Sequence, residues 1–180
     1  MTCVSPNTNP AASTTLTPRC RPVSTHSHLY PEAVLRVLPI RYSEILSSPD
    51  LIQEYAAECA NHVIGKPDPQ PETYEQLENS GLMRCFGLYR VGRLIGFASI
   101  LLAPLPHYGL KVGIVESLFV SVCERGLASG KLLLNIEAYA RASECVSIIC
   151  SAPVGGAFEA FLRGRDDCQQ TNSVFCWRLT

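Results

Sequence analysis

The stretch 112-VGIVESLFVSVCERGLASGKLLLNIEAYARA-142 changes character twice. Val112 to Val120 is a run of strand length, mostly apolar, with Glu116 and Ser117 inside it. Ser121 to Ala128 is turn material, after which Leu132, Leu133, Ile136 and Ala140 recur at helical spacing with Asn135, Glu137 and Arg141 off that stripe. Strand, turn and amphipathic helix therefore follow one another directly. The turn reads Arg125, Gly126, Leu127, Ala128, Ser129, Gly130, Lys131. Small residues let backbone come close to a ligand, and the N–H groups and positive dipole end of a helix start form a phosphate cradle. Arg125 and Lys131 add mobile positive charge to it.

Working outward, Arg84 to Arg90 and Leu94 to Leu102 are strand-like, and Val91, Gly92 and Arg93 between them make a hairpin. Ala103 to Gly109 turns the chain into Val112–Val120, which completes a meander. Val146 to Cys150 is a short apolar run suited to a central strand, and the helix before it makes it a parallel neighbour of Val112–Val120. Ala33 to Ile40 gives a first strand, placed at an edge or strand end by Pro39. Ser48, Pro49 and Asp50 start a helix carrying Leu51, Ile52, Tyr55, Ala56, Cys59 and Ala60 at helical spacing. A proline-rich loop over Asn61 to Pro71 leads to a short helix, Glu72 to Asn79, which Gly81 stops. Gly155 to Arg163 is a weak helix, and Ser173 to Leu179 alternates into a last strand, with Trp177 in the core. The fold class is α/β in the broad α+β sense, with a mixed, mostly antiparallel central sheet and helices on both faces.

The placement of the glycine turn excludes two phosphate-binding folds. A dinucleotide fold carries its glycines after the first strand of a repeating βαβ array, whereas antiparallel strands precede the turn here. A nucleoside triphosphate loop needs GKS or GKT, and neither occurs.

The run Glu116, Ser117, Leu118, Phe119, Val120, followed after four residues by RGLASG and KLL, resembles the central motif of the GNAT N-acetyltransferases, usually written R/Q-x-x-G-x-G/A. The order of elements fits that family from Ala33 to Leu179, the first and last fifths in pattern only. PLPHYG followed by VESLFV resembles phage-encoded members in particular. The resemblance implies a GNAT-like acyl-CoA N-acyltransferase domain over residues 29–180, with acetyl-coenzyme A as co-substrate. It implies that Leu118, Phe119 and Val120 serve the pantetheine arm, chiefly through the backbone of Leu118 and Val120, and that Arg125 to Lys131 hold the pyrophosphate. It also implies Glu116 as general base. An alkyl amine with pKa near 10.4 is unprotonated in roughly one molecule in two thousand at pH 7, a cost of about 4.6 kcal/mol. A positioned base typically recovers about 100-fold to 10,000-fold, so device and demand match. The bland alternative for Glu116 is a strand-edge carboxylate in a salt bridge.

The chain departs from the family pattern at Ala128, where a glycine is usual, so a methyl near the phosphates requires an ordinary backbone angle there. Val154 stands where an asparagine often contacts coenzyme A, and Phe161 where a tyrosine often protonates the leaving thiolate. The general acid is thus unassigned. Tyr108, His107 and Tyr139 are substitutes, with surface or packing roles the simpler reading for His107 and for His62. Glu54 and Tyr55 on the first long helix could face an amine, against the plainer reading of solvated face and core.

Size and composition set the frame. A chain of 180 residues, 47% hydrophobic with formal net charge -1, is expected to hold a single domain with a proper core. Near-neutral charge argues against nucleic acid as partner. Residues 1–28, rich in Ser, Thr, Pro and Asn, are expected to be a disordered arm without the basic start and apolar centre of a secretory signal. No apolar run reaches the roughly 18 residues that span a membrane, and a cytoplasmic location is expected. The nine cysteines include no CxxC pair, which suggests reduced, buried, inert thiols and no metal site. The acceptor is a small-molecule or protein amine, the assembly a monomer or homodimer. A non-catalytic acyl-coenzyme A binding or interaction module is the competing function, and transfer to a protein or modified nucleic acid of a phage host a third.

Overall fold

The computed structural model describes residues 34–59, 63–177 and 179. The expected arm and His62 lie outside them. Among the described residues, five strands form one sheet in the order β1 (Leu35–Ile40), β2 (Met83–Arg90), β3 (Arg93–Leu105), β4 (Leu110–Val120), β5 (Ile148–Ile149). The first four pair antiparallel, and β4 pairs β5 in parallel, so the sheet is mixed as the pattern required. Pro39 sits in β1, an edge strand, where its missing N–H costs no ladder bond.

Helices α1 (Tyr42–Leu46), α2 (Pro49–Glu58) and α3 (Pro71–Asn79) cover one face, and α4 (Leu127–Ala142) covers the other. The alternation of the strands divides their apolar residues accordingly. Phe86, Leu88 and Ile100 pack with Leu132 and Ile136 of α4, while Met83, Phe97 and Phe119 pack with Ile45 and Leu51 beneath α1 and α2. A last helix, α5 (Ala157–Arg163), sends Phe158 against the α4 core. Proline at the first turn of both α2 and α3 suits helix starts, whose first N–H groups have no intrahelical acceptor.

Four expectations need correction. The meander turn is shorter than Ala103–Gly109: β3 runs on to Leu105 and only Pro106–Gly109 turns, with Tyr108 N–H on the Leu105 carbonyl at 3.0 Å. Helix α1 is too short for its periodicity to register in the sequence. Ser173–Leu179 forms no strand among its described residues, and Trp177 is 87% exposed rather than core. Among the described residues no strand lies beyond β5, which is thus an edge and not the central strand expected, with Ile148 and Ile149 pairing with Gly113 and Ile114. An alternating segment needs a partner edge before its pattern has structural meaning.

The cysteines also differ from a uniform set of buried thiols. Cys85 is buried, but Cys59, Cys168 and Cys176 are exposed. Cys123 is disulfide-bonded. Among the described residues no helix is long and apolar enough to cross a membrane, and no cluster of His, Cys, Asp and Glu could hold a metal ion.

Candidate active site

Glu116 is the extra residue of a β-bulge. Ser99 of β3 pairs with Ser117, and the next residue, Ile100, pairs with Val115, so Glu116 has no partner across the ladder. The bulge brings Glu116 and Ser117 onto the same face of the sheet, under α1 to α3. There Tyr74 Oη donates to Glu116 Oε1 at 2.7 Å and Ser99 Oγ donates to Oε2 at 2.6 Å. Ser99 and Ser117 hydroxyls lie 2.6 Å apart. Because the single Ser99 proton is committed to the carboxylate, Ser117 is the donor in that pair. No salt bridge to Glu116 occurs among the described residues.

Three phenols surround this carboxylate. The Tyr74 ring stacks on buried Tyr42, centroids 3.5 Å apart and planes at 9°. Tyr55 of α2 packs edge-on against Phe97 and Phe119. Burial, then the hydrogen bond and charge of Glu116, holds the Tyr74 phenol far above its ordinary range. Burial likewise raises Tyr55 and Tyr42, with the Glu116 charge adding to both. With Ile64, Pro67 and Pro69 of the proline-rich loop, these groups line a cleft of about 370 Å³ that has Glu116 in its wall. The proline-rich loop thus forms one wall of this cleft.

The second half of the site lies at the open end of β4. Pairing with β5 stops at Ile114, so the edge of β4 beyond it is uncovered by that strand. The Ser121 N–H bonds the Ile95 carbonyl at 2.9 Å, which turns Phe119 and Ser121 toward β3. Strand alternation then turns the N–H and C=O groups of Leu118 and Val120 toward the open edge. Phe119 is different: its ring is in the core, and its backbone faces β3.

At the turn, Gly126 is the N-cap of α4 with φ 96° and ψ -121°, a conformation side chains strongly disfavour, and no side chain caps the helix. Ser129 and Gly130 N–H groups both bond the Gly126 carbonyl, at 3.1 and 3.3 Å. The N–H groups of Leu127 and Ala128 stand ahead of them at the helix mouth. The methyl of Ala128 does not crowd that mouth, although a glycine is usual there. It is 1% exposed, packed in the α4 core, with no positive φ, so it points away from the mouth. Both cations are partnered: Arg125 Nε bonds the Val120 carbonyl at 3.0 Å and its guanidinium pairs with Glu58, while Lys131 Nζ bonds the Leu35 carbonyl at 2.7 Å. Both tether the turn to neighbouring elements.

Of the substitute acids, Tyr139 packs on Phe86 in the α4 core, across the sheet from Glu116, and Tyr108 and His107 sit together in the β3–β4 turn. Phe161 stacks on Phe158 and Val154 is 97% exposed. Glu54 is not simply solvated: it accepts from Ser121 Oγ at 2.9 Å. Sequence reasoning missed Tyr42, Tyr74, Ser99 and Ser117. The two serines were visible as polar breaks in apolar strands. Tyr74 carried no signal, since its partner is 42 residues away.

No protein-family model matches the sequence, and no curated protein does. Solved structures do match. A ribosomal-protein-alanine N-acetyltransferase from Brucella melitensis biovar Abortus 2308 aligns with a TM-score of 0.62 at 18% identity, over 82% of this chain and 100% of that one. The aminoglycoside acetyltransferase meta-AAC0020 from an uncultured soil metagenomic sample, in complex with sisomicin, aligns at 0.64 with 14% identity, over 81% and 97%. AAC(6')-Iy, in complex with the bisubstrate analog CoA-S-monomethyl-acetylneamine, aligns at 0.61 with 16% identity, over 82% and 99%. The structural neighbours are GNAT acetyltransferases, and the chain has the GNAT acyltransferase fold, with its mixed five-stranded sheet.

Proposed function

We propose that this protein is an N-acetyltransferase that moves the acetyl group of acetyl-coenzyme A to a primary amine by direct attack, with Glu116 as general base. The observation that carries the proposal is the bulged carboxylate. It lies in a cleft wall beside the open edge of β4, bonded by two hydroxyls and paired with no cation among the described residues. A carboxylate so placed attracts an ammonium group and can take its proton.

The remaining roles follow from position. The N–H groups at the mouth of α4 hold the pyrophosphate, and the open edge of β4 aligns the pantetheine arm. The amine nitrogen, having given its proton to Glu116, forms a bond to the thioester carbonyl carbon. The negative oxygen is steadied by backbone N–H of β4 until the C–S bond breaks and the thiolate leaves; the extra proton on the attacking nitrogen passes to that thiolate or to water, which leaves a neutral amide, and Glu116 returns its proton to solvent. Thiolates with pKa near 8.5 are tolerable leaving groups near neutrality, so a dedicated acid is dispensable. The acceptor is a small-molecule or protein amine. Sisomicin in one neighbour and an acetylneamine conjugate in another make amino sugars a reasonable start for a panel.

The absence of a hydroxyl at Phe161 favours the competing function, a non-catalytic acyl-coenzyme A binding module. Thiol release from acetyl-coenzyme A with a broad amine panel separates the two. Turnover by wild type and its loss in Glu116→Gln is the expected result. Binding without turnover by either protein overturns the enzyme reading.

A further inference from the structure

The two oxygens of Glu116 are held from different elements. Ser99 Oγ reaches Oε2 from β3, within the same sheet. Tyr74 Oη reaches Oε1 from α3, which belongs to the acceptor side of the cleft. The Tyr74 ring has little freedom: it stacks face to face on Tyr42, which is 3% exposed. Glu78 of α3 in turn accepts the Tyr42 backbone N–H at 3.0 Å, which fixes α1 and α3 to each other. The hydroxyl of Tyr74 is therefore aimed by packing, and a phenol that only filled space would need no such aim.

Resting on the acetyltransferase reading above, we infer that Tyr74 is a positioning residue for Glu116. Its hydroxyl fixes the rotamer of the bulged carboxylate and so aims the oxygens that accept the amine proton. A bulge residue lacks the cross-strand neighbour that orients an ordinary strand side chain, so its direction must come from such contacts. The other titratable groups about Glu116 are Tyr42 from α1, Tyr55 from α2 and Cys59 at its C-terminal cap, Cys85 from β2, and Lys66 and Asp68 from the loop. Burial pushes the thiol of Cys85 and the phenols of Tyr42 and Tyr55 upward, so they stay neutral near pH 7. The hydrogen bond from Tyr74 thus acts on a carboxylate with no buried cation beside it among the described residues.

The test is Tyr74→Phe, which keeps the ring stack and removes only the hydroxyl. Without that donor the bulged carboxylate is free to turn away from the amine, and part of the roughly 100-fold or more that a positioned base contributes is lost. At neutral pH kcat falls about tenfold, while KM for the amine and the affinity for a non-hydrolysable acetyl-coenzyme A thioether stay within about twofold. Ser99→Ala, acting on the other oxygen, lowers kcat with the same sparing of KM. Should Glu116→Gln be inactive while Tyr74→Phe keeps the wild-type kcat, the inference is overturned and the enzyme reading stands. Should Glu116→Gln turn over like wild type, both fall. A Tyr74→Phe protein that loses thioether affinity and thermal stability together has a packing role instead, which also overturns the inference.

Discussion

Two glycines of the same turn, four residues apart, should respond in opposite ways to the same methyl group. Gly126 sits at φ 96° and ψ -121° with nothing within 4 Å of the point where a Cβ would stand, so Gly126→Ala is penalised by backbone conformation alone. Holding a non-glycine residue in such a region costs about 1–3 kcal/mol. Gly130 lies inside the first turn of α4, also with nothing within 4 Å, and its backbone is helical. Gly130→Ala should therefore stabilise the unliganded protein by about 0.5–1 kcal/mol. For a domain of this size each kcal/mol moves Tm by about 2–4 °C, so the two variants separate by several degrees on either side of wild type. The motif quoted for this turn takes glycine or alanine at Gly130, so the added methyl there should leave coenzyme A affinity within about twofold, whereas the backbone shift forced at Gly126 should weaken it by roughly tenfold. Differential scanning calorimetry of the unliganded variants and calorimetric titration with coenzyme A measure the two quantities. A Gly126→Ala protein that loses stability yet binds coenzyme A as tightly as wild type would refute the assignment of the turn.

The core and the thiols supply two further expectations. Leu132 is fully buried, and Leu132→Ala should cost about 2–5 kcal/mol, against no more than about 0.5 kcal/mol for Leu134→Ala on the exposed side of the same helix; equal losses in urea unfolding would contradict the facing of α4. Burial pushes the Cys150 thiol up to about 11, which leaves roughly one thiolate in a thousand at pH 8, so native-state alkylation should reach the exposed Cys176 first. Labelling of Cys150 should then accelerate as pH rises toward 11, and mass spectrometry showing equal rates at pH 8 would contradict its environment.

Much of this fold was legible because its elements are local. The β2–β3 hairpin is written in two strand-length runs around Val91 and Gly92, both at positive φ as the tight turn demands. The parallel pairing of β4 and β5 followed from an intervening amphipathic helix. The turn at Arg125–Lys131 was legible by position, but its side chains were not: the tethering of Arg125 to Val120 and of Lys131 to Leu35 depends on where distant elements come to rest. Glu116 stood out as a carboxylate in an apolar strand, yet nothing local marks it as a bulge, because a bulge is a property of two strands in register. Tyr74 and Tyr42 were silent for the same reason. The last segment failed in the other direction, since the alternation of Ser173–Leu179 specifies a strand only where an edge is present to receive it.

The central claim is that the mouth of α4 and the bulge at Glu116 are two ends of one acetyl-coenzyme A site. A crystal structure of the protein with acetyl-coenzyme A tests it most directly. The account predicts the pyrophosphate on the N–H groups of Leu127 and Ala128, the pantetheine arm along Leu118 and Val120, and the acetyl group beside Glu116. A pyrophosphate bound elsewhere, or an acetyl group on the α4 face of the sheet, would contradict it.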